Sequence, residues 1–201
     1  MEWTVLVPVK RLQLAKSRLP LPATTRAALM AAMAADTVAA ALAAPGVARV
    51  AVVTGEATGW WGAGAEVLPD AGGGLTPAVM AAARGFPGPV AVLAGDLPAL
   101  RAAELGAALR AAAAVPAGVV ADAPGGGTVL LTAREGRLLL PSYGVGSLLR
   151  HVALGAVDLT GGLLAPGLRR DVDTPADWAE ALVLGVGTAS AAFADVLPLA
   201  G

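Results

Sequence analysis

The sequence predicts an α/β fold in which helices cover both faces of a mostly parallel sheet. Its apolar runs, such as residues 3–9 and 89–94, are continuous rather than alternating, as expected of strands buried on both sides. These runs alternate with helical segments, which is the chain order of a parallel sheet. Hydrophobic residues make up 56% of the 201 residues and charged residues 14%, so a large core can be filled.

The predicted elements follow one another without a long linker or an internal repeat. Thr24 is expected to cap the first helix and Pro45-Gly46 to end it, and Thr174-Pro175 is typical of a helix start. We expect one domain over residues 1–201, with a weakly patterned tail over residues 185–201. Strands are expected at residues 3–9, 47–54, 65–68, 89–94, 117–121, 128–133 and 156–159. Helices are expected at residues 24–44, 75–84, 101–114, 146–154 and 174–184.

Composition excludes several classes of site. The chain has no cysteine, which rules out disulfides, thiolate zinc sites and a cysteine nucleophile. Its single histidine, His151, rules out a histidine-rich metal site. A Ser-His-Asp triad stays open, although no Gly-x-Ser-x-Gly turn accompanies the histidine. The net charge of −1 leaves no basic surface for nucleic acid.

Membrane association is not expected. The N-terminus runs from Glu2 directly into a predicted strand, without the pattern of a signal peptide. Arg26, Asp36, Pro45 and Arg49 interrupt the alanine-rich runs, so we expect no segment of about 20 apolar residues that could cross a bilayer. The cytoplasm is therefore the expected location.

Two carboxylates, Asp171 and Asp173, flank a single valine directly after Arg169-Arg170. In an extended strand, residues two apart point to the same face, where two carboxylates repel each other unless a cation lies between them. Mg²⁺ suits such a site where substrate phosphates supply further oxygen ligands. The alternative is a solvated loop whose aspartates cap the next helix.

Charged residues follow most of the predicted strands. In an open parallel sheet, ligands bind outside the carboxyl ends of the strands, so these residues are expected at one edge. Asp96 would add a third carboxylate to Asp171 and Asp173, although a turn aspartate is the alternative. The basic residues after the first strand could neutralise a triphosphate or form an ordinary solvated loop. The residues concerned are Lys10, Arg11, Lys16 and Arg18 after the first strand, Asp70 before Gly72-Gly73-Gly74 after the third, Asp96, Asp122, and the segment from Arg169 to Asp173.

The segment Tyr143-Gly144-Val145-Gly146-Ser147 precedes a predicted helix. Backbone N–H groups and a serine hydroxyl at a helix N-terminus can bind an anion. The alternative is a glycine turn with a serine cap. His151, one turn later, is either part of this site or a structural core histidine.

An ordered set of motifs extends over nearly the whole chain, to about Gly187. The motifs are Val7-Pro8-Val9-Lys10, Ala15-Lys16-Ser17-Arg18-Leu19, Gly95-Asp96-Leu97-Pro98, Tyr143-Gly144-Val145-Gly146-Ser147 and the segment from Arg169 to Asp177. In these motifs the sequence resembles the guanylyltransferases that activate phosphoenolpyruvate or 2-phospho-L-lactate in the biosynthesis of the deazaflavin coenzyme F-420. The resemblance implies a single-domain, three-layer nucleotidyltransferase fold of the glycosyltransferase-A type, related to molybdenum-cofactor guanylyltransferases. It also implies GTP as donor, a small phosphorylated carboxylic acid as acceptor, and Mg²⁺ as cofactor.

The same resemblance implies a role for each candidate residue. The metal ligands would be Asp96, Asp171 and Asp173. The acceptor would be held by Thr128, Gly144 and Ser147. The basic catalytic loop would be Lys10, Lys16 and Arg18. The nucleotide-side loop would be Asp70, Gly73 and Gly74.

Two other functions are alternatives to guanylyl transfer. A nucleotidyltransferase of the same fold that acts on a molybdopterin or a sugar phosphate would call for a first loop of the type Gly-x-Gly-x-Arg-x-Gly, which this chain lacks. A non-catalytic nucleotide-binding protein would bind GTP without turnover. The chain also departs from the family pattern at Thr76, where Asn is usual.

Overall fold

The computed structural model describes residues 1–9, 18–55, 64–70 and 72–197, and its strands form one seven-stranded sheet. Their order across the sheet is β3-β2-β1-β4-β6-β5-β7. β6 runs antiparallel to both of its neighbours, and every other pair is parallel, so the predicted, mostly parallel sheet is confirmed. The strands are β1 (Trp3–Val9), β2 (Val47–Thr54), β3 (Glu66–Pro69), β4 (Val90–Leu93), β5 (Ala117–Ala121), β6 (Thr128–Ala133) and β7 (Val157–Asp158).

Seven α-helices occur in the described part of the chain. The predicted helix starting at Thr174 is confirmed, with the Thr174 hydroxyl accepting a hydrogen bond from the backbone N–H of Asp177. The expected cap at Thr24 is wrong, because the first helix starts one residue earlier, after Pro22. The helices are α1 (Ala23–Leu42), α2 (Leu75–Arg84), α3 (Ala102–Ala112), α4 (Ser147–Ala153), α5 (Pro166–Arg169), α6 (Pro175–Leu184) and α7 (Thr188–Ala191).

The sheet lies between two helical layers. Alternation along β1 sends Val5 and Val7 into a core shared with α1 and α3, and Leu6 into a second core shared with α2. A third cluster joins α1 to α6 around the fully buried Trp178. This is the expected three-layer arrangement; the organisation as one domain stays a prediction.

Helix α1 has the length and composition of a membrane span, contrary to the expectation from the sequence. Arg26 and Asp36 do not lower its mean hydropathy below 1.2 over an 18-residue window, because the remaining residues are mostly alanine, leucine, methionine and valine. Half of that window is buried inside the protein, where α1 packs against β1, β2 and α3. Helices in the cores of soluble proteins can have the same length and apolar composition, so these two features alone do not identify a membrane segment.

The weakly patterned tail docks onto α1 as far as the structure describes it. The Asp36 carboxylate, in the middle of α1, accepts hydrogen bonds from the backbone N–H groups of Ala189 (3.1 Å) and Ser190 (2.7 Å). The N–H of Gly187 donates to the carbonyl of Pro98 at 2.9 Å. Ser190 and Leu197 are buried. A single charged side chain therefore anchors residues that the sequence pattern left unassigned.

We predict that Asp36→Ala lowers the free energy of unfolding by about 1.5–3 kcal/mol, the range for hydrogen bonds to a charged acceptor. The two N–H groups at the start of α7 would lose their partner, and proteolysis should then cut the tail sooner than in the wild type. Chemical denaturation and limited proteolysis measure the two effects. Asp195→Ala, which removes an exposed carboxylate from the same tail, is the matched control and should be neutral. Equal stability of the two variants would contradict the anchoring role.

Candidate active site

The carboxyl ends of β1 and β4 meet the start of β6 at one edge of the sheet. Because β6 is reversed, its first residue, Thr128, lies at the edge where the neighbouring strands end. A cavity of about 620 Å³ opens there. The predicted site residues that line it are Arg18, Asp96, Thr128, Gly144, Ser147, Asp171 and Asp173.

Asp96 is fixed by three backbone contacts around it. Gly95 passes so close to β1 that an added Cβ would lie 3.0 Å from the carbonyl oxygen of Pro8, so a larger residue would have to push β1 away. The N–H of Leu97 donates to the buried Thr37 hydroxyl of α1 at 3.1 Å. The carbonyl of Asp96 accepts a hydrogen bond from the N–H of Val172 at 3.2 Å. The last contact joins the two acidic segments directly.

Asp171 and Asp173 both line the cavity, while Val172 between them is fully buried. The segment lies outside the strands of the sheet and leads directly into α6. The two carboxylates nevertheless share a side, as predicted. The alternative that they cap α6 is wrong, since Thr174 and Asp177 form a reciprocal capping box, with Asp177 accepting from Thr174 N at 2.8 Å.

Within the described ranges, no group of three His, Cys, Asp or Glu side chains is close enough to form a preformed metal site. A hard divalent cation does not require one, because Mg²⁺ keeps several waters and uses substrate phosphates together with one or two carboxylates. Asp96, Asp171 and Asp173 supply only oxygen donors to the cavity, which suits such an ion. The donor chemistry of the three residues therefore fits the expected cofactor.

The two arginines before Asp171 are structural. Arg169 donates to the carbonyls of Ala121 (3.2 Å) and Asp122 (2.7 Å), and so ties α5 to the loop after β5. Arg170 pairs with Asp177 at 3.2 Å and with Glu180 at 2.5 Å on α6. Neither arginine is among the described residues that line this cavity, and their hydrogen bonds and ion pairs hold the acidic segment against α6 and the loop after β5.

Asp122 organises the glycine loop between β5 and β6. Its carboxylate accepts hydrogen bonds from the N–H groups of Gly125, Gly126 and Gly127 at 2.8–2.9 Å. A Cβ on Gly127 would lie 2.2 Å from that carboxylate, so this position requires glycine. An aspartate before a glycine run is a sequence signal for such a turn, and it could have assigned Asp122 this role.

The turn before α4 is held by Arg150, which sequence reasoning missed. Its guanidinium donates to the carbonyl of Ser142 at 3.2 Å and to the carbonyl of Val145. Gly144 and Gly146 adopt φ values of 118° and 71°, which side chains rarely allow. No local pattern distinguishes Arg150 from a solvated helix arginine.

Two N–H groups in the first turn of α4 already have partners within the protein. Ser147 N donates to the carbonyl of Gly144 at 3.0 Å, and Leu148 N donates to that of Gly126 at 3.3 Å. The hydroxyls of Ser147 and Thr128 lie beside this turn, with Ser147 Oγ 3.0 Å from Thr128 Oγ1. Both residues line the cavity, so hydroxyl groups contribute to its surface at the start of β6.

His151 lies beneath these hydroxyls and is fully buried. Its Nδ1 is 3.0 Å from Thr128 Oγ1, and its Nε2 is 2.8 Å from the backbone N of Ser142. Burial, and secondarily the neighbouring Arg150 charge, lower the pKa of His151 to about 4. Because both ring nitrogens are occupied by groups other than a carboxylate, the Ser-His-Asp triad that the sequence left open is excluded.

The other predicted residues are distributed around the cavity. Lys10 and Lys16 lie outside the described residues. Asp70, Gly73 and Gly74 are exposed after β3 and are not among the described lining residues, although the next residue, Leu75, is. The Asp70 carboxylate accepts a hydrogen bond from the N–H of Gly72 at 2.8 Å, which closes this loop.

Thr76, at the start of α2, faces the acceptor turn rather than the nucleotide loop. Its hydroxyl accepts a hydrogen bond from the N–H of Tyr143 at 3.4 Å. The departure from the family pattern at this position therefore links α2 to the turn before α4.

The described lining is strongly acidic. It contains four carboxylates, those of Asp96, Asp122, Asp171 and Asp173, and one cation, Arg18. Carboxylate oxygens are preferred ligands of a hard divalent cation. The described lining is thus suited to a phosphorylated ligand that binds together with such a cation.

Comparison with known proteins identifies the family. The family model described as "Guanylyl transferase CofC like" matches residues 3–199. The phosphoenolpyruvate guanylyltransferase of Geodermatophilus obscurus is 52% identical over 203 residues, covering 95% of this chain and 93% of that protein. The protein of the same name from Salinispora arenicola is 52% identical over 198 residues, covering 94% and 92%.

Solved structures with the same fold are more distant in sequence. A putative nucleotide-diphospho-sugar transferase from Desulfovibrio desulfuricans matches with a TM-score of 0.61 at 18% identity, covering 89% of this chain and 86% of that one. A Mycobacterium tuberculosis protein in complex with manganese matches with a TM-score of 0.52 at 20% identity, covering 90% and 98%. These likenesses confirm the nucleotidyltransferase fold. The family-model match over residues 3–199 and the relatives at 52% identity show that the chain belongs to the CofC-like family of guanylyl transferases.

Proposed function

We propose that the protein transfers the guanylyl group of GTP to phosphoenolpyruvate, with release of pyrophosphate, in the biosynthesis of coenzyme F-420. The observation that carries the proposal is one cavity lined both by Asp96, Asp171 and Asp173 and by the hydroxyls of Thr128 and Ser147. The first group suits a cation with bound phosphates, and the second suits a carboxylate. The names of the relatives favour phosphoenolpyruvate over 2-phospho-L-lactate as acceptor.

In the proposed reaction, a phosphate oxygen of phosphoenolpyruvate attacks the α-phosphorus of GTP. The new P–O bond replaces the bond between the α-phosphorus and its bridging oxygen, and pyrophosphate leaves with that electron pair. A phosphate monoester is largely dianionic at neutral pH, since its second pKa is about 6, so no general base is needed. This accords with a cavity in which His151 is held neutral and both of its nitrogens are occupied.

The residues of the chain would act by positioning the substrates and neutralising their charge. Arg18 lines the cavity, and Lys10 and Lys16 belong to the same proposed basic loop, where they would meet the phosphates of GTP. Thr128, Gly144 and Ser147 would hold the acceptor carboxylate. Asp70, Gly73 and Gly74 would form the nucleotide side, a role supported by their position directly before Leu75 on the cavity wall.

Asp96, Asp171 and Asp173 would hold Mg²⁺, which supplies charge neutralisation at the reacting phosphates. The position of these three carboxylates on one cavity supports a bound cation, and the manganese complex of a protein with the same fold supports a divalent one. A cytoplasmic location is part of the same proposal, because both substrates are highly charged and do not cross a bilayer unaided.

The decisive test is pyrophosphate release from GTP, ATP or CTP, each paired with phosphoenolpyruvate, 2-phospho-L-lactate or a sugar 1-phosphate. Release only with GTP and phosphoenolpyruvate supports the proposal. Release with the sugar phosphate would favour the rival nucleotidyltransferase. Binding of GTP without release in any pairing would favour the non-catalytic protein.

We predict that Asp171→Asn and Asp173→Asn each reduce turnover at least roughly 100-fold, because a lost metal ligand costs several kcal/mol in the transition state. Asp195→Asn, at an exposed position, is the matched control. Near-normal turnover of either variant at saturating Mg²⁺ would refute the ligand assignment.

We predict that turnover requires a divalent cation, with Mg²⁺ or Mn²⁺ active, and that GTP is strongly preferred over ATP. Excess chelator should abolish pyrophosphate release, and readdition of Mg²⁺ should restore it. The metal requirement follows from the acidic lining of the cavity. Full activity in chelator would refute the metal, and equal rates with ATP would refute the choice of nucleotide.

We predict that Thr128→Val, which keeps the shape of the side chain and removes its hydroxyl, raises the KM for phosphoenolpyruvate far more than the KM for GTP. A lost hydrogen bond to a charged group costs about 1.5–3 kcal/mol, or roughly 10- to 150-fold. Each substrate is titrated at saturating levels of the other, with Thr24→Val on the exposed face of α1 as control. A larger effect on GTP would assign this end of the cavity to the nucleotide.

A further inference from the structure

His151 is the only histidine in the chain, and its two ring nitrogens have different partners. Nε2 lies 2.8 Å from the backbone N of Ser142, and Nδ1 lies 3.0 Å from Thr128 Oγ1. The ring is fully buried and makes an edge contact with Tyr143, with 5.2 Å between the ring centroids. These contacts fix its position as well as its hydrogen-bonding roles.

The contact with Ser142 decides the tautomer of the ring. A backbone N–H can only donate, so Nε2 must be the acceptor and cannot carry a proton. A neutral imidazole has one N–H, which must then be on Nδ1 and point at Thr128. Burial lowers the pKa of His151 to about 4, which keeps the ring in this neutral form near pH 7.

With this tautomer, the hydrogen bonds made by the two hydroxyl protons of Thr128 and Ser147 can be counted. Thr128 Oγ1 accepts from His151, and it shares one further hydrogen bond with Ser147 Oγ at 3.0 Å. The two hydroxyls carry two protons, of which their mutual hydrogen bond uses one. One proton therefore remains, whichever of the two residues donates to the other.

The opposite tautomer would leave no proton for a ligand. Thr128 would then donate to Nδ1, and Ser147 would donate to Thr128. Both residues line the cavity, and Thr128 is the more exposed of the two, since Ser147 is only 2% exposed. The identity of the ring nitrogen that holds the proton thus decides whether this end of the cavity presents a donor or only acceptors.

We propose that His151 is a positioning residue: by donating from Nδ1 to Thr128, it directs one hydroxyl proton of the Thr128–Ser147 pair into the cavity, where that proton binds an anionic oxygen of the acceptor substrate. The anionic oxygen is assigned to the acceptor on the basis of the proposed function. His151 itself touches neither substrate and transfers no proton.

The tautomer can be measured directly, because the chain has a single histidine. In untagged, ¹⁵N-labelled protein, a long-range ¹H–¹⁵N correlation spectrum is expected to show one imidazole protonated at Nδ1 and unprotonated at Nε2. The pattern should persist between pH 6 and 8. An Nε2–H ring, or a ring that becomes cationic in this range, would overturn the proposal.

Two substitutions then separate positioning from packing. His151→Asn places an amide N–H near the position of Nδ1 and can still donate to Thr128. His151→Gln places an amide oxygen near the position of Nε2 and can accept from Ser142, but it gives up the donor to Thr128. We expect the Gln variant to raise the KM for phosphoenolpyruvate roughly tenfold or more with the KM for GTP unchanged, and the Asn variant to stay within about threefold of the wild type.

Both variants lose the ring contact with Tyr143, so a merely structural histidine would make them equally defective. Equal acceptor KM values, or a worse Asn variant, would overturn the proposal. If either variant fails to fold, the spectrum of the wild type decides. Failure of the proposed function is distinct, since it would appear as no wild-type turnover with phosphoenolpyruvate, whatever the tautomer.

Discussion

The acidic half of the site depends on one backbone hydrogen bond, from the N–H of Val172 to the carbonyl of Asp96 at 3.2 Å. This bond joins two segments that are far apart in the chain and that both carry carboxylates, which repel each other without a cation. The surrounding structure holds the contact in place: Thr37 of α1 accepts from Leu97 N, and Arg170 pairs with α6. The two acidic segments are therefore held together by neutral backbone groups and by the ion pairs of Arg170 with α6.

The part of the cavity that carries the hydroxyls of Thr128 and Ser147 depends on the direction of β6. Within the described sheet it is the one strand that runs against its neighbours, so its first residue lies where the others end. A parallel β6 would place Thr128 at the opposite edge, far from Asp96. The reversal also sets the glycine loop beside α4, where the carbonyl of Gly126 accepts from Leu148 N. The hydroxyls and the carboxylates share one cavity because a single strand is reversed.

The sequence predicts the elements of this fold well because burial in the interior of a parallel sheet requires continuous apolar runs, and helix starts carry local signals such as Thr174-Pro175. It does not predict the direction of β6, because an apolar run has the same composition in either direction. It also leaves the tail unassigned, because the anchor, Asp36, is distant in sequence. The roles of His151 and Arg150 require knowledge of which strand and turn lie beside α4, and a single sequence does not contain it.

The two halves of the cavity differ in how they could distinguish two polyanionic substrates. Positive charge attracts any phosphate, so cations and Arg18 can neutralise but cannot select. Hydroxyl groups are neutral and are not drawn to the more highly charged triphosphate; they favour a ligand whose oxygen meets them with the right geometry. A cationic histidine beside Thr128 would add a positive charge at this end of the cavity, and that charge would attract any phosphate. Burial prevents this by lowering the pKa of His151 to about 4, so that the ring stays neutral and acts only through the hydrogen bond that it donates.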